Sequence, residues 1–289
     1  MEFPALHAPV FHTEDGTPYL REPGVALLAQ TAFNPEGLRG FLEGFDPSLQ
    51  FSEYLKDDWT GLQGGDAIAK VAGQLCYMAF GPGRTRNDQA GKYLDRIKQE
   101  QHGSVCEHAN FSFLVYGIDR AVSHELVRHR AGLGFSQCSQ RYTGPKTLRF
   151  VEPAEMQDNE ELHAIFLEDI QDTRRRYERR VAKLIEKQGH NVQLLSGESK
   201  TELRKKVNQC ARRVLTNETE APMIVTANAR AWRHVSEMRA SKHADVAIRS
   251  MAMKAFQVVK QVAPLLFSDY EVEELPDGST ALDTKFRKV

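Results

Sequence analysis

Between His124 and Tyr142 the chain reads HELVRHRAGLGFSQCSQRY, with three arginines, two histidines, two serines, two glutamines and a glutamate in nineteen residues. It contains no lysine and no proline. So many donors need acceptors wherever they are placed, which makes this run the strongest constraint on the fold. Arg128, Arg130 and Arg141 carry fork-shaped guanidinium groups suited to phosphates and carboxylates. The neighbouring amides and hydroxyls suit the edge of a planar ring. The pattern predicts a site for a polyanionic, partly aromatic ligand.

The bulk numbers narrow the ligand further. The chain has 289 residues, enough for one large domain or two small ones. Its formal net charge is -1, so no global field draws it to nucleic acid or to a membrane. Acidic residues lean toward the first sixty positions, while arginines crowd the segment 120–250, which favours a small anion over a polymer. Cys76, Cys106, Cys138 and Cys210 form no Cys-x-x-Cys pair, so neither a zinc knuckle nor a redox dithiol is indicated. Wide cysteine spacing fits a reducing cytoplasm. The opening Met-Glu-Phe-Pro-Ala lacks the basic and apolar regions of a signal peptide. No apolar run reaches the ~20 residues of a membrane helix.

Periodicity places the elements. Val25 to Ala32 predicts an edge strand. Asp66 to Phe80 shows helical spacing with Asp66 as N-cap, stopped by Gly81-Pro82-Gly83. Residues 90–101 predict a helix with Gly103 at C′. Ala109 to Tyr116 alternates, with Phe111, Phe113 and Val115 on one side, and predicts a strand. A helix from Ala121 to Arg130, a glycine-containing loop and a strand near Leu148–Val151 follow. Residues 158–188 predict a long charged helix, and Thr201–Leu215 another, capped by Ser199 or Thr201. Met223–Ala227 reads as a strand and Asn228 as the N-cap of a helix to Arg239. A last helix runs from His243 to Val262. The division is an N-terminal extension (1–60), a single α/β domain (61–268) and a loose polar tail (269–289).

Three constellations carry chemistry. His102-x-Ser104 followed by Glu107-His108 sits before the alternating strand, where an exposed turn is the ordinary alternative. In the opening run, His124 and His129 are five apart. On one helix that separates them by about 140°, so they do not share a metal, and no metal site is predicted. Gly132-Leu133-Gly134 lacks the third glycine of a dinucleotide loop. Helix-end charge accounts for one or two of Arg128, His129 and Arg130 at roughly 0.3–1 kcal/mol. It does not account for Ser136, Gln137, Ser139, Gln140 and Arg141. Downstream, Arg230, His234 and Met238 recur every fourth residue and share a helix face that suits a pocket rim. An amphipathic surface helix is its alternative. Arg212-Arg213 reads by default as a solvated pair.

These blocks together resemble the flavin-dependent thymidylate synthase family. Arg128-His129-Arg130, eight residues, then Ser139-Gln140-Arg141 matches its signature. His102-x-Ser104…Glu107-His108 lies upstream. Asn228-x-Arg230…Arg239…His243 lies downstream, with Arg212 sixteen residues before Asn228. The resemblance covers about residues 66–262. It implies an α/β (α+β) domain with a central, mostly antiparallel twisted sheet flanked by helices, assembling as a homotetramer with shared active sites. It also implies methylation of dUMP at C5 to dTMP. Methylenetetrahydrofolate donates the carbon and leaves as tetrahydrofolate, and NADPH supplies a hydride through FAD.

Residue roles follow from the resemblance. Arg141, Ser139 and Gln140, joined by Arg212, match the dUMP phosphate clamp. Arg239 matches the catalytic arginine on the uracil edge. Glu125, Arg128 and Gln137 complete the dUMP contacts. Glu125 stands where some members have Gln, and Gln137 where an acid is expected at the flavin edge. Cys76, His102, Ser104, Arg128, His129, Arg130, Ser136, Gln137, Asn228, Arg230, His234 and His243 match FAD contacts. Two other readings stay open. A methyltransferase using Cys138 as nucleophile is one. An arginine-rich nucleic-acid-binding protein is the other, disfavoured by the charge of -1.

Overall fold

The computed structural model describes residues 3–188 and 197–289. In chain order the strands and helices are β1 (Ala5–Leu6), β2 (Val10–His12), β3 (Pro18–Leu20), β4 (Gly24–Gln30), α1 (Arg39–Glu43), α2 (Gly64–Cys76) and α3 (Ala90–Gln99). Then come β5 (Asn110–Tyr116), α4 (Arg120–Leu126), β6 (Leu133–Gln137), β7 (Phe150–Val151), α5 (Glu160–Gln188) and α6 (Gly197–Ala211). The last are β8 (Met223–Asn228), α7 (Ala229–Arg239), α8 (Val246–Val262), β9 (Tyr270–Glu274) and β10 (Thr280–Thr284). Among the described residues no helix is long and apolar enough to cross a membrane.

The centre is a five-stranded sheet in the order β1-β4-β5-β8-β6. Every neighbouring pair in it is antiparallel. The mixed α/β domain with an antiparallel sheet and flanking helices is therefore as expected. The alternation in β5 buries Phe111, Phe113 and Val115, as the period of two requires. They meet Val25, Leu27, Val225 and Ala227 of neighbouring strands and Trp232, Met251 and Phe256 of α7 and α8 in one core. Phe113 and Trp232 pack edge to face with centroids 4.9 Å apart. Truncating either to Ala costs about 3–5 kcal/mol. The opposite face is open. Ile224 stays 41% exposed and Leu28 45%. Ser112 and Thr226 hydrogen-bond across the strands at 2.8 Å on that face.

Several expectations change. The strand predicted at Val25–Ala32 is β4, and it is not an edge, because β1 pairs outside it. Residues of the expected extension thus enter the main sheet. Asp66 does not cap α2. It lies inside the helix, fully buried, and its carboxylate accepts the backbone N–H groups of Leu265 and Leu266. Burial raises its pKa to about 6 against those bonds. Helix α2 stops at Cys76, where Tyr77 and the left-handed Met78 (φ 50°) turn the chain ahead of the glycines. Gln101 (φ 59°), not Gly103, takes the left-handed position after α3. Gly103 opens a 3-10 turn, Gly103–His108. The expected caps Ser199 and Thr201 both fall within α6, which ends at Ala211, ahead of a 3-10 turn over Arg212–Val214.

Two corrections matter for the site. Helix α4 ends at Leu126, capped at its start by Asp119, so Arg128, His129 and Arg130 lie beyond it. The helical angle between His124 and His129 therefore does not apply. The glycine-containing loop is instead strand β6, paired along β8 from Leu133↔Ala227 to Gln137↔Met223. Leu133, Phe135 and Gln137 alternate with Gly134 and Ser136 in exposure. The two glycines masked that period of two. The tail from Asp269 is also not loose. It forms the β9–β10 hairpin, with Tyr270, Ala281 and Leu282 buried.

Candidate active site

Helix α7 organises the site. Asn228 caps it, its side chain accepting Ala231 N–H at 2.8 Å, as the sequence predicted. Eleven residues make it about 16 Å long, so Asn228 and Arg239 mark its two ends. At the first end Asn228, Arg230 and His234 line a cleft of about 380 Å³ together with Glu107, Gly132, Lys288 and Val289. This volume is ordinary for a small-molecule site. Arg230 donates to Glu107 at 2.6 Å. Gly132 holds φ +73°, and a Cβ there would fall 2.9 Å from Asn228 Nδ2. A Cβ on Gly103 would fall 2.9 Å from Arg230 Nε. Both glycines keep the cleft walls close; His102 and Ser104 flank Gly103 in the chain but are not among the residues that line the cleft.

At the second end Arg239 is held from two sides. Its Nη1 donates to Glu125 Oε2 at 2.6 Å and its Nε to His129 Nε2 at 2.9 Å. That bond makes His129 an acceptor at Nε2 and places any ring proton on Nδ1. Burial, then the Arg239 charge, then His234 lower the His129 pKa from 6.5 to about 4. His234 packs against His129 at 5.4 Å, edge to face. His234 also lines the first cleft. The two ends of the helix are thereby joined through the His129–His234 pair. Arg128 and Arg130 flank His129, exposed, and among the described residues their side chains make no hydrogen bond or ion pair.

Ser139, Gln140 and Arg141 form the turn after β6. Ser139 Oγ accepts Arg141 N–H at 3.4 Å, and Arg141 Nε donates to Gln209 of α6 at 3.1 Å. Asn208 ties α6 to the same turn by donating to the Thr143 carbonyl at 3.1 Å. This places the end of α6, and with it Arg212, on the side of Arg141. Gln137 points to α4 and donates to Ser123 at 3.1 Å. Gln140 Nε2 is buried without a partner among the described residues. With Cys138 it lines another cleft, of about 450 Å³.

Not every predicted residue converges. His243 lines a different cleft with Met238 and Lys242. Cys76 is exposed at the end of α2. Ser136 is exposed on β6. The sequence reading passed over Arg233, which lies on the inward face of α7 and is 1% exposed. Its neighbours Trp232 and Ser236 are also buried. A charged residue among inward positions was the available signal.

The donor set fits a polyanionic cofactor. Arg230, the exposed Arg128 and Arg130, and the N-terminus of α7 suit anions, and Gly103 and Gly132, which have no Cβ, stand where an added one would crowd Arg230 and Asn228. Among the described residues no group of three or more His, Cys, Asp or Glu is placed to hold a metal.

The family model "Thymidylate synthase complementing protein" matches residues 58–265. A flavin-dependent thymidylate synthase of Mycobacterium leprae (strain Br4923) is 38% identical over 224 residues, 76% of this chain and 85% of the relative. One of Mycobacterium tuberculosis (strain ATCC 25618 / H37Rv) is 40% identical over 220 residues at the same coverage. The crystal structure of a UMP/dUMP methylase, PolB from Streptomyces cacaoi, bound with 5-Br dUMP, shares the fold with a TM-score of 0.59 at 16% identity. It covers 86% of this chain and 95% of its own. With the family model spanning well over half the sequence, and Arg239 drawn onto the Arg-His-Arg run, the chain belongs to the flavin-dependent thymidylate synthase family of enzymes.

Proposed function

We propose that the protein converts dUMP to dTMP by reductive methylation, using 5,10-methylenetetrahydrofolate and NADPH, with FAD as cofactor. One carbon passes from the folate to C5 of the uracil ring, the C5 proton leaves, and NADPH supplies the hydride that makes a methyl group. Tetrahydrofolate and NADP⁺ are the other products. The observation that carries this reading is the contact of Arg239 with both His129 and Glu125, which unites two family motifs that are far apart in sequence.

Bound FAD supplies hydride transfer from NADPH without a protein nucleophile. Asn228, Arg230, His234, His102, Ser104, Arg128, His129 and Arg130 would hold it, with Cys76, Ser136, Gln137 and His243 completing its surroundings. Arg141, Ser139, Gln140 and Arg212 bind the dUMP phosphate, and Glu125, Arg128 and Gln137 contact the nucleoside. Arg239 offers N–H donors to the uracil edge and stabilises negative charge developing on the ring. The neutral His129 and the Glu125 carboxylate fix its plane.

The separation of His243 and Ser136 from the first cleft supports a homotetramer whose active sites are shared. The open sheet face bearing Leu28 and Ile224 offers apolar surface for a second copy. Four free cysteines suit the cytoplasm, and the ligands are small molecules, not nucleic acid. Cys138 is exposed at the end of β6, outside the Arg239 cluster, so Cys138→Ala keeps activity. The test is direct. The purified protein takes up FAD, shows a flavin band that NADPH bleaches, and then releases the C5 hydrogen of dUMP in the presence of methylenetetrahydrofolate. A protein that binds no added FAD overturns the proposal.

A further inference from the structure

Residues 270–289 lie beyond the segment matched by the family model, yet they reach the first cleft. Lys288 and Val289 line it with Asn228, Arg230 and His234. We propose that the C-terminal segment Phe286–Val289 is a built wall of the flavin cleft and that Lys288 supplies an additional cation for the cofactor's phosphates. This rests on the FAD reading above.

Three observations carry it. First, the segment is fixed, not draped. Arg233 Nε donates to the Val289 carbonyl at 3.4 Å and Nη2 to the Phe286 carbonyl at 3.2 Å. The same guanidinium binds both oxygens of Asp269 at 2.7 and 2.9 Å. Leu282 N–H donates to the Ala240 carbonyl at 2.7 Å, tying β10 to the end of α7. Val289 is 3% exposed. A Cβ on Gly103 would fall 3.0 Å from the Val289 carbonyl carbon, so the His102–Ser104 turn packs directly on this wall.

Second, Lys288 sits in the left-handed region at φ 63°, which disfavours a non-glycine residue. Glu237 holds it there by accepting its N–H at 3.1 Å. Backbone strain kept by a specific partner is common at ligand clamps. Third, its charge is available. Arg287 is paired with Asp283 at 2.8 Å and Arg230 with Glu107 at 2.6 Å. The Lys288 side chain has no carboxylate partner among the described residues, and Lys288 lines the cleft together with Asn228, the cap of α7. A diphosphate bound in this cleft would find the α7 N-terminus and Lys288 among its cationic and N–H donors.

The experiment is an FAD titration of the full chain stripped of flavin, followed by absorbance at several salt concentrations. Lys288→Ala is expected to weaken FAD about tenfold at low salt, the effect of losing one charge-assisted bond, and to flatten the salt dependence. Lys288→Arg keeps affinity within about twofold. Lys285→Ala, exposed one residue before the segment and off the cleft, leaves the titration unchanged, and Lys288→Ala leaves dUMP binding unchanged. A wild type that binds no FAD overturns both this inference and the function beneath it. A wild type that binds FAD and a Lys288→Ala variant of equal affinity and salt dependence overturns this inference alone.

Discussion

Arg233 and Arg239 stand on the same helix and do opposite things. Arg233 is 1% exposed and uses its guanidinium on Asp269 and on the carbonyls of Leu266, Phe286 and Val289. Every N–H it has is spent inside the protein. Burial opposes charge on the partner Asp269, but the Arg233 bonds, with Lys98, outweigh it and hold that carboxyl well below the usual range. Arg239 keeps 22% of its side chain exposed and has two close partners, Glu125 and His129. Its remaining donor, Nη2, reaches the Glu125 carbonyl only at 3.5 Å. A saturated arginine rivets the fold, and an unsaturated one at a rim can meet a ligand. The residue type does not distinguish them; the number of acceptors already in reach does.

Removing each side chain is the sharpest way to break this contrast. Arg233→Met takes the bidentate partner from the buried Asp269, leaving it Lys98 at 3.1 Å and Thr284, and is expected to cost about 3 kcal/mol, read from urea unfolding. A loss below about 1 kcal/mol would show that the rivet is not structural. Arg239→Gln is expected to lower kcat for dTMP formation by about 10²–10³, the loss of one charge-stabilising donor, with the unfolding midpoint nearly unchanged. Equal damage to stability would erase the distinction between the two arginines.

A smaller effect concerns the acceptor that holds Arg239. His129 has its pKa lowered from 6.5 to about 4, by burial first and then by Arg239 and His234. A histidine lowered in this way adds stability that is complete above pH 6.5 and is lost as pH falls through about 4. Protonation also removes the acceptor of the Arg239 Nε bond, so dUMP binding weakens in the same window. His129→Gln keeps a neutral acceptor and should flatten the dependence of both stability and dUMP affinity between pH 6.5 and 4. An unchanged slope would place the titration elsewhere.

Local patterns were the legible part. Phe111, Phe113 and Val115 announced β5, and Asn228 announced the start of α7, because period and capping are properties of a few consecutive residues. The motif order pointed to the family, since side chains with unusual hydrogen-bonding capacity are visible without coordinates. The exit of α4 at Leu126 was not legible. Arg128, His129 and Arg130 continue a helical composition, and what ends the helix is the return of β6 to pair with β8. Asp66 read as a cap because its position before an apolar run is typical of one, while its partners, Leu265 and Leu266, come from the far end of the chain.

The sequence by itself determined the chemistry of the site: which groups donate, that their partner is anionic, and the family they belong to. The tertiary structure alone decided their use. It put His129 on Arg239, spent Arg233 on the C-terminal hairpin, and turned a polar tail into a wall beside Asn228 and Arg230. The physical reason is that hydrogen-bonding capacity belongs to the residue, whereas satisfaction and burial belong to the neighbours that folding brings from distant parts of the chain.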